Sequence, residues 1–338
     1  MRSNRDLVDE CDKYCCLDLL LRQLSTYPIF SFPYYETEPE KYTTLVSSYF
    51  KLYLHEGTGP HGYIPQFVMD KMPFQDTRWK IDKDAKRVCP VPGAGEIPLT
   101  QTEIIRDTVD IARQSKLFKV LQGWRNELYA ITGHSSTEKH INMERAASSL
   151  FGINTYGVHM TLYTDTSAGM KVWVPRRAKK KQTYGGALDN TVAGGLSTGE
   201  APFECLIRES AEEADLPEQL VRSNAKACGT VSYFHIRDSR AGGETGLLQP
   251  ECQFVYDMEV GPEVRPKPND EEVEAFYLWT VDEVKNALSM GEFKPNCALV
   301  LLDFFVRHGI LTAENEKDYA EIVSRLHRRL PFPTSQRA

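Results

Sequence analysis

Three features of the sequence predict an α/β protein in two parts, a smaller α+β region over residues 1–150 and an α/β domain over residues 151–330. Up to residue 150, apolar residues recur at helical spacing in short runs that proline and glycine keep interrupting. From Tyr156 onward, alternating runs of strand length take over, the pattern of half-buried sheet. Among those runs, a glycine-rich turn after Gly194 leads into a segment with one apolar helical stripe and one acidic face.

Composition narrows the class of protein. The 338 residues suffice for two domains of ordinary size, and 41% hydrophobic with 26% charged residues describes a soluble globular chain. A formal charge of −7 argues against general nucleic-acid binding through phosphate electrostatics. No run of about 18 apolar residues is present to span a membrane, and the N-terminus lacks the apolar core of a secretory signal. A cytoplasmic address is therefore expected. The eight cysteines form no Cys-x-x-Cys pair and the eight histidines no metal-spaced pair, so zinc or dithiol chemistry has no support. His235 ends an apolar strand-like run and reads as structural.

The elements follow in order. Residues 6–27 carry Leu7, Cys11, Tyr14, Leu17, Leu20, Leu21 and Leu24 at helical spacing, with Pro28 and Pro33 beyond. A second helical run is expected from Tyr42 to Leu54, before the break at Gly57, Gly59, Pro60 and Gly62. Tyr63 to Met69 and Trp79 to Ile81 read as short strands, and 90–98 as a connector rich in proline and glycine. Gln101 to Phe118 returns to helical spacing, Gly123 to Ile131 ends strand-like, and Met143 to Leu150 reads as a helix. Trp79, Trp124 and Tyr129 are aromatic enough to stack on a ligand, although core packing is the expected fate of each.

In the second part, Gly157 to Tyr163 and Lys171 to Pro175 alternate as strands around a turn at 165–169. The basic run Arg176 to Lys181 follows, with Arg176 and Arg177 able to offer guanidinium forks to a phosphate. Lys226 to Ile236, Glu251 to Val260 and 270–279 read as strands, the last opening on Glu271, Glu272 and Glu274. Helices are expected at Val281 to Leu288, Asn296 to Arg307 and Glu314 to Arg328.

The segment Gly194 to Leu216 carries the chemistry. At about 100° per residue, Phe203, Leu206, Ile207, Ser210, Ala211 and Ala214 share one stripe, and Glu209, Glu212 and Glu213 gather on the neighbouring face. Like charges at that spacing repel, and a hard divalent cation would remove the penalty. An ordinary solvated acidic face accounts for a glutamate pair alone. It leaves unexplained Gly194, Gly195, the separated Glu200 and Arg208. Six specified residues at fixed spacing arise by chance in a chain this long with a probability on the order of 10⁻⁵.

This segment resembles a Nudix box, with Gly194, Glu200, Arg208, Glu209, Glu212, Glu213 and Leu216 in register. Ser210 replaces the usual aliphatic residue and Asp215 the usual glycine, a position that Asp tolerates in left-handed backbone. The resemblance implies a Nudix α/β/α sandwich with a mixed sheet. It implies Mg²⁺ (or Mn²⁺) held by Glu209, Glu212, Glu213 and the Gly194 carbonyl, and catalysis involving Glu209, Glu212 and Arg208. Glu200 and Gly195 would support the box, and Arg176, Arg177 and Glu272 would face substrate. Trp-Val-Pro-Arg-Arg over 173–177, Leu-Asp-Asn-Thr-Val-Ala-Gly-Gly over 188–195, and Gly-Trp-Arg-Asn-Glu-Leu-Tyr over 123–129 resemble Nudix proteins related to thiamine pyrophosphokinase. That resemblance implies a small-molecule diphosphate substrate of thiamine type, especially its damaged oxo- and oxy-forms. A nucleoside-diphosphate-linked substrate such as ADP-ribose or a nucleotide sugar is the alternative within the fold. A binding module without catalysis is the alternative outside enzymes.

Overall fold

The computed structural model describes residues 1–11, 13–14, 30–31, 39–54, 59–93, 98–132 and 141–333. Along the chain lie α1 (Asn4–Cys11), β1 (Lys13–Tyr14), β2 (Phe30–Ser31), α2 (Pro39–Ser48), β3 (Phe50–Leu52), β4 (Gly62–Ile64), α3 (Gln66–Met69), β5 (Trp79–Asp82) and β6 (Arg87–Pro90). α4 (Gln101–Gln114), β7 (Leu128–Ile131), β8 (Ile141–Glu144) and α5 (Ser148–Phe151) complete the first part. The second part comprises β9 (Thr155–Thr166), β10 (Gly169–Arg177), β11 (Val192–Gly195), α6 (Pro202–Ala214), α7 (Glu218–Asn224), β12 (Lys226–Ile236) and β13 (Leu248–Glu259), then β14 (Val273–Thr280), α8 (Val281–Met290), α9 (Pro295–Arg307) and α10 (Tyr319–Leu326).

A six-stranded mixed sheet organises the second part, in the order β12-β13-β9-β10-β14, with β11 pairing the first half of β9. The β13/β9 pair is parallel and the others antiparallel. Side chains alternate across a strand, so Val158, Met160 and Leu162 of β9 all point to one face. There they pack with Cys205, Leu206, Ile207 and Ala214 of α6. Val172 and Val174 of β10, Tyr233 of β12 and Val255 of β13 point to the opposite face, under α8, α9 and α10. The result is an α/β/α sandwich.

Packing crosses the 150/151 boundary that the sequence pattern suggests. Leu7, Val8 and Cys11 of α1 belong to the core beneath α9, and Leu45 and Val46 of α2 pack with Phe234, Leu248 and Phe332. A separate core holds the four-stranded sheet β4-β3-β6-β5, α4, the β7/β8 hairpin and α5.

Several expected elements differ. The described part of the expected 6–27 helix ends at Cys11, and Lys13 and Tyr14 pair in strand register with Ser31 and Phe30. Residues 15–27 lie outside the described residues. The second helix stops at Ser48, because burial of Phe50, Leu52 and Leu54 follows period two. The strand from Tyr63 ends at Ile64, where Pro65, lacking an N–H, opens α3. Met143 belongs to β8, and only Ser148–Phe151 is helical in the run expected to be a helix. β6 and α7 were not expected.

Candidate active site

α6 builds the acidic cluster. Pro202 starts the helix, where a missing N–H costs nothing. Asp215 ends it in left-handed backbone (φ 53°, ψ 34°), so the chain turns sharply and Leu216 enters the core. The helix buries Cys205, Leu206, Ile207, Ser210, Glu213 and Ala214, while Ala211 stays exposed. Glu213 is thus an acid among core residues. Its carboxylate accepts from the Ala193 N–H at 3.0 Å and lies 3.8 Å from the Lys181 ammonium. Burial pushes its pKa up to about 8, against the pull of Lys181. Glu209 is also raised by burial, with the Arg208 guanidinium opposing.

Arg208 ties the cluster together. It donates to both oxygens of Glu200 at 2.9 and 3.1 Å, to Glu209 at 2.8 Å and to Glu212 at 3.0 Å. Glu212 points to solvent, with 53% of its side chain exposed. Glu272 from the loop before β14 pairs with Lys181, so the loop acid and the helix acid share one ammonium. Burial works against ionising Glu272, but the Lys181 hydrogen bond holds its carboxyl below the usual range.

β11 runs against this cluster with its two glycines turned to opposite sides. A Cβ on Gly194 would stand 2.1 Å from the Glu209 carboxyl carbon. A Cβ on Gly195 would stand 1.9 Å from the Tyr129 hydroxyl and 3.3 Å from the Arg145 guanidinium carbon. No side chain fits on either face. Oxygen donors around this glycine cradle suit a hard divalent cation such as Mg²⁺ or Mn²⁺. Among the described residues, however, no three His, Cys, Asp or Glu side chains converge as a finished cage, since Arg208 and Lys181 engage the acids instead.

The residues just before β11 hold it in place from below. Arg177 is buried, pairing with Asp189 at 2.5 Å and donating to the Thr183 carbonyl at 3.0 Å. Burial disfavours an ionised Asp189, yet Arg177 holds its carboxyl below the usual range. Asn190 meets His159 Nδ1 at 2.7 Å, and Thr191 donates to the Trp173 carbonyl at 2.6 Å. Arg176 donates to the Gly186 carbonyl and approaches Glu292 at 3.4 Å. Neither arginine is among the residues lining the cavity beside the glycine strand.

A cavity of about 230 Å³ opens between β11, the β9/β13/β12 surface and the 120–149 segment, reaching Gly194, Gly195, Tyr129, Arg145, Glu251 and Gln253. Glu209 and Glu213 adjoin its backbone wall at Gly194 and Ala193. The first part of the chain grips the box here. Ser197 donates to Glu127 at 2.9 Å, Thr198 donates to Asn142 at 2.9 Å, and the Thr198 N–H donates to the Leu128 carbonyl at 2.8 Å. Of the aromatic candidates, Trp79 is core and bonded to Thr108, Trp124 lies under Arg113, and Tyr129 lines the cavity. Glu127 and Arg145 were not singled out by the sequence, and Lys181 only as one member of the basic run. Only their place in the fold brings them to the box.

Residues 155–297 match the NUDIX domain family, and residues 96–155 match the domain of unknown function DUF4743. An uncharacterized protein of Saccharomyces cerevisiae is 46% identical over 220 residues, 63% of this chain and 64% of that one. Nudix hydrolase 20, chloroplastic, of Arabidopsis thaliana is 34% identical over 233 residues, 69% of this chain and 59% of that one. The chain therefore spans less than two thirds of the length of either relative. Among solved structures, a Nudix hydrolase from M. smegmatis, RenU, aligns at 16% identity with a TM-score of 0.35, covering 56% of this chain and 98% of that one. The chain carries a NUDIX domain over residues 155–297, preceded by a DUF4743 segment.

Proposed function

We propose that the chain is a divalent-cation-dependent diphosphatase that hydrolyses a thiamine diphosphate-like compound, a damaged oxo- or oxy-form above all, to the monophosphate and phosphate. The observation that carries this reading is a pair of acids, the buried Glu213 and the half-buried Glu209, set against the side-chain-free strand Gly194–Gly195 inside the segment matched by the NUDIX family. Glu209, Glu212 and Glu213, with the Gly194 carbonyl, would hold Mg²⁺ or Mn²⁺. The cation would neutralise diphosphate oxygens and lower the pKa of water. Arg208 orients Glu209 and Glu212 through its two hydrogen bonds and braces the loop through Glu200. Water attacks the terminal phosphorus, the bridging P–O bond breaks, and the Glu209 carboxylate receives the water proton. The thiamine class rests on the Trp173–Arg177 and Leu188–Gly195 stretches.

Purified protein with Mg²⁺ should release phosphate and a thiazole–pyrimidine monophosphate from oxothiamine or oxythiamine diphosphate, read by product mass. AMP from ADP-ribose or a nucleotide sugar, with no turnover of the thiamine compounds, would transfer the reading to nucleotide-linked substrates. No turnover of any diphosphate would leave a binding module. Glu213→Gln should lower kcat by about 10²-fold or more while leaving the fold intact, the size of effect expected for a group acting in the transition state. Unchanged kcat would remove Glu213 from the site.

A further inference from the structure

We infer that Arg145, in the segment ahead of the NUDIX domain, is the arginine that binds the diphosphate of the substrate, so that the active pocket is built from both parts of the chain. The identity of the anion rests on the diphosphatase reading above. The geometry does not.

The box needs a cation that faces substrate, and the nearby candidates differ in what already occupies them. Arg177 is enclosed with Asp189, Arg176 is spent on Gly186 and Glu292, and Arg208 on three glutamates. Arg237 lines the cavity but is spent on the carbonyls of Ala241 and Gly242, and Arg125, also in the lining, has only a long 3.9 Å approach to Glu272 to hold it. Arg145 alone among these arginines combines a short tether with free donors. One nitrogen donates to Glu127 at 2.8 Å, and no hydrogen bond from its Nε or second terminal nitrogen is found among the described residues. Its side chain is 38% exposed, lines the cavity and stands over Gly195. It also lies near enough to Glu209 for the two charges to influence each other.

The tether serves a purpose. Glu127 accepts from Arg145 with one oxygen and from Ser197 of the box loop with the other. The carboxylate therefore fixes the guanidinium relative to the glycine strand, and a planar fork held this way suits bidentate recognition of phosphate oxygens.

Farther along the same cavity, the polar lining is unfinished in a way that points to a ligand. Gln253, 5% exposed, donates from its amide nitrogen to Tyr233 and Glu251, both at 2.9 Å. Those partners fix which way the amide faces, because Glu251 can only accept. The amide oxygen is left buried with no hydrogen-bond partner, close above Gly157. A buried acceptor without a donor costs on the order of 1–3 kcal/mol. A substrate whose organic group carries N–H donors would satisfy it while its diphosphate meets Arg145.

The test compares wild type, Arg145→Ala, Arg145→Lys and Glu127→Gln, with Arg222→Ala on the exposed face of α7 as a control for loss of one positive charge. Binding of inorganic pyrophosphate is measured by calorimetry without metal, and KM and kcat are measured on whichever diphosphate the wild type hydrolyses. Arg145→Ala should weaken pyrophosphate binding at least 10-fold and raise KM by a similar factor. Arg145→Lys should recover only part, Glu127→Gln should weaken binding by less than Arg145→Ala, and Arg222→Ala should match wild type. Wild-type binding by Arg145→Ala, or equal losses in Arg145→Ala and Glu127→Gln, would show an arginine that only props the loop and would overturn the inference. Arginine-dependent pyrophosphate binding in a protein that hydrolyses nothing would sink the diphosphatase reading and leave this one standing.

Discussion

At the scale of single residues, the folded state carries several ionisable groups far from their ordinary affinities, and they set opposite limits on stability. His159 is buried, and burial, with Lys294 adding to it, lowers its pKa to about 4. An unfolded histidine takes up its proton near pH 6.5, so the folded state loses stability as pH falls from 6.5 to 4, by about 3 kcal/mol in total. The Arg177-paired Asp189 adds to that loss at still lower pH. Glu213 works the other way. Its folded pKa of about 8 exceeds the unfolded value, so its contribution is present at low pH and lost between about 4.5 and 8 when no cation is bound. Urea unfolding in chelator should therefore give greatest stability in the mildly acid range, and Glu213→Gln should flatten the alkaline decline. In Glu213→Gln, where the opposing contribution of Glu213 is gone, a profile flat from pH 6.5 to 4 would refute the account of His159. The acids were legible in the sequence because their spacing is local to one helix. Arg145 was not legible, because what distinguishes it is a guanidinium with donors to spare above a glycine fifty residues later, a long-range fact. Which of Arg176 and Arg177 lies enclosed was hidden for a related reason, since basic residues at a strand end look alike until packing places one of them inside.

At the scale of elements, α6 was readable from both ends. Pro202 and the apolar stripe fix its start and face, and the substitution of Asp215 for the usual glycine is accommodated because the residue adopts φ 53°. Asp at that position still carries steric cost that glycine does not. Asp215→Gly should raise stability by about 0.5 kcal/mol, seen as a small rise in Tm with kcat unchanged. A fall in Tm would mean that the aspartate side chain contributes something the backbone does not explain. The first-part elements were harder to read. Phe50, Leu52 and Leu54 follow apolar residues of α2 so closely that the apolar run reads on as one helix, and only the pairing of β3 with β4 and β6 decides for strand. The strand β6 was hidden because its pattern ends on Pro90, which sits where it pairs with Trp79 of the neighbouring strand.

At the scale of the molecule, the chain returns on itself. α1 lies with α9 and α10 in the core of the NUDIX part, Arg325 pairs with Asp9, and Leu7, Val8 and Cys11 are all but inaccessible. Fully burying one such aliphatic side chain is worth about 1.5–3 kcal/mol. Deleting residues 1–11 should consequently lower Tm by several degrees and expose dye-binding apolar surface, even though the deletion is remote in sequence from the sheet it uncovers. An unchanged Tm would show that α1 is dispensable. The sandwich itself was foreseeable from strand periodicity and the glycine–acid segment. The mutual packing of the two parts was not, because no local pattern announces that a helix at residue 4 covers one at residue 295.

The paired glycines of β11 have a last consequence. With an acid pressed to one side and a phenol to the other, this strand has no tolerance to spare, so change in either half of the chain is communicated directly to the other. A side chain gained at Gly195 would displace Tyr129 and one gained at Gly194 would displace Glu209, so each half of the chain limits what the other can carry at this strand.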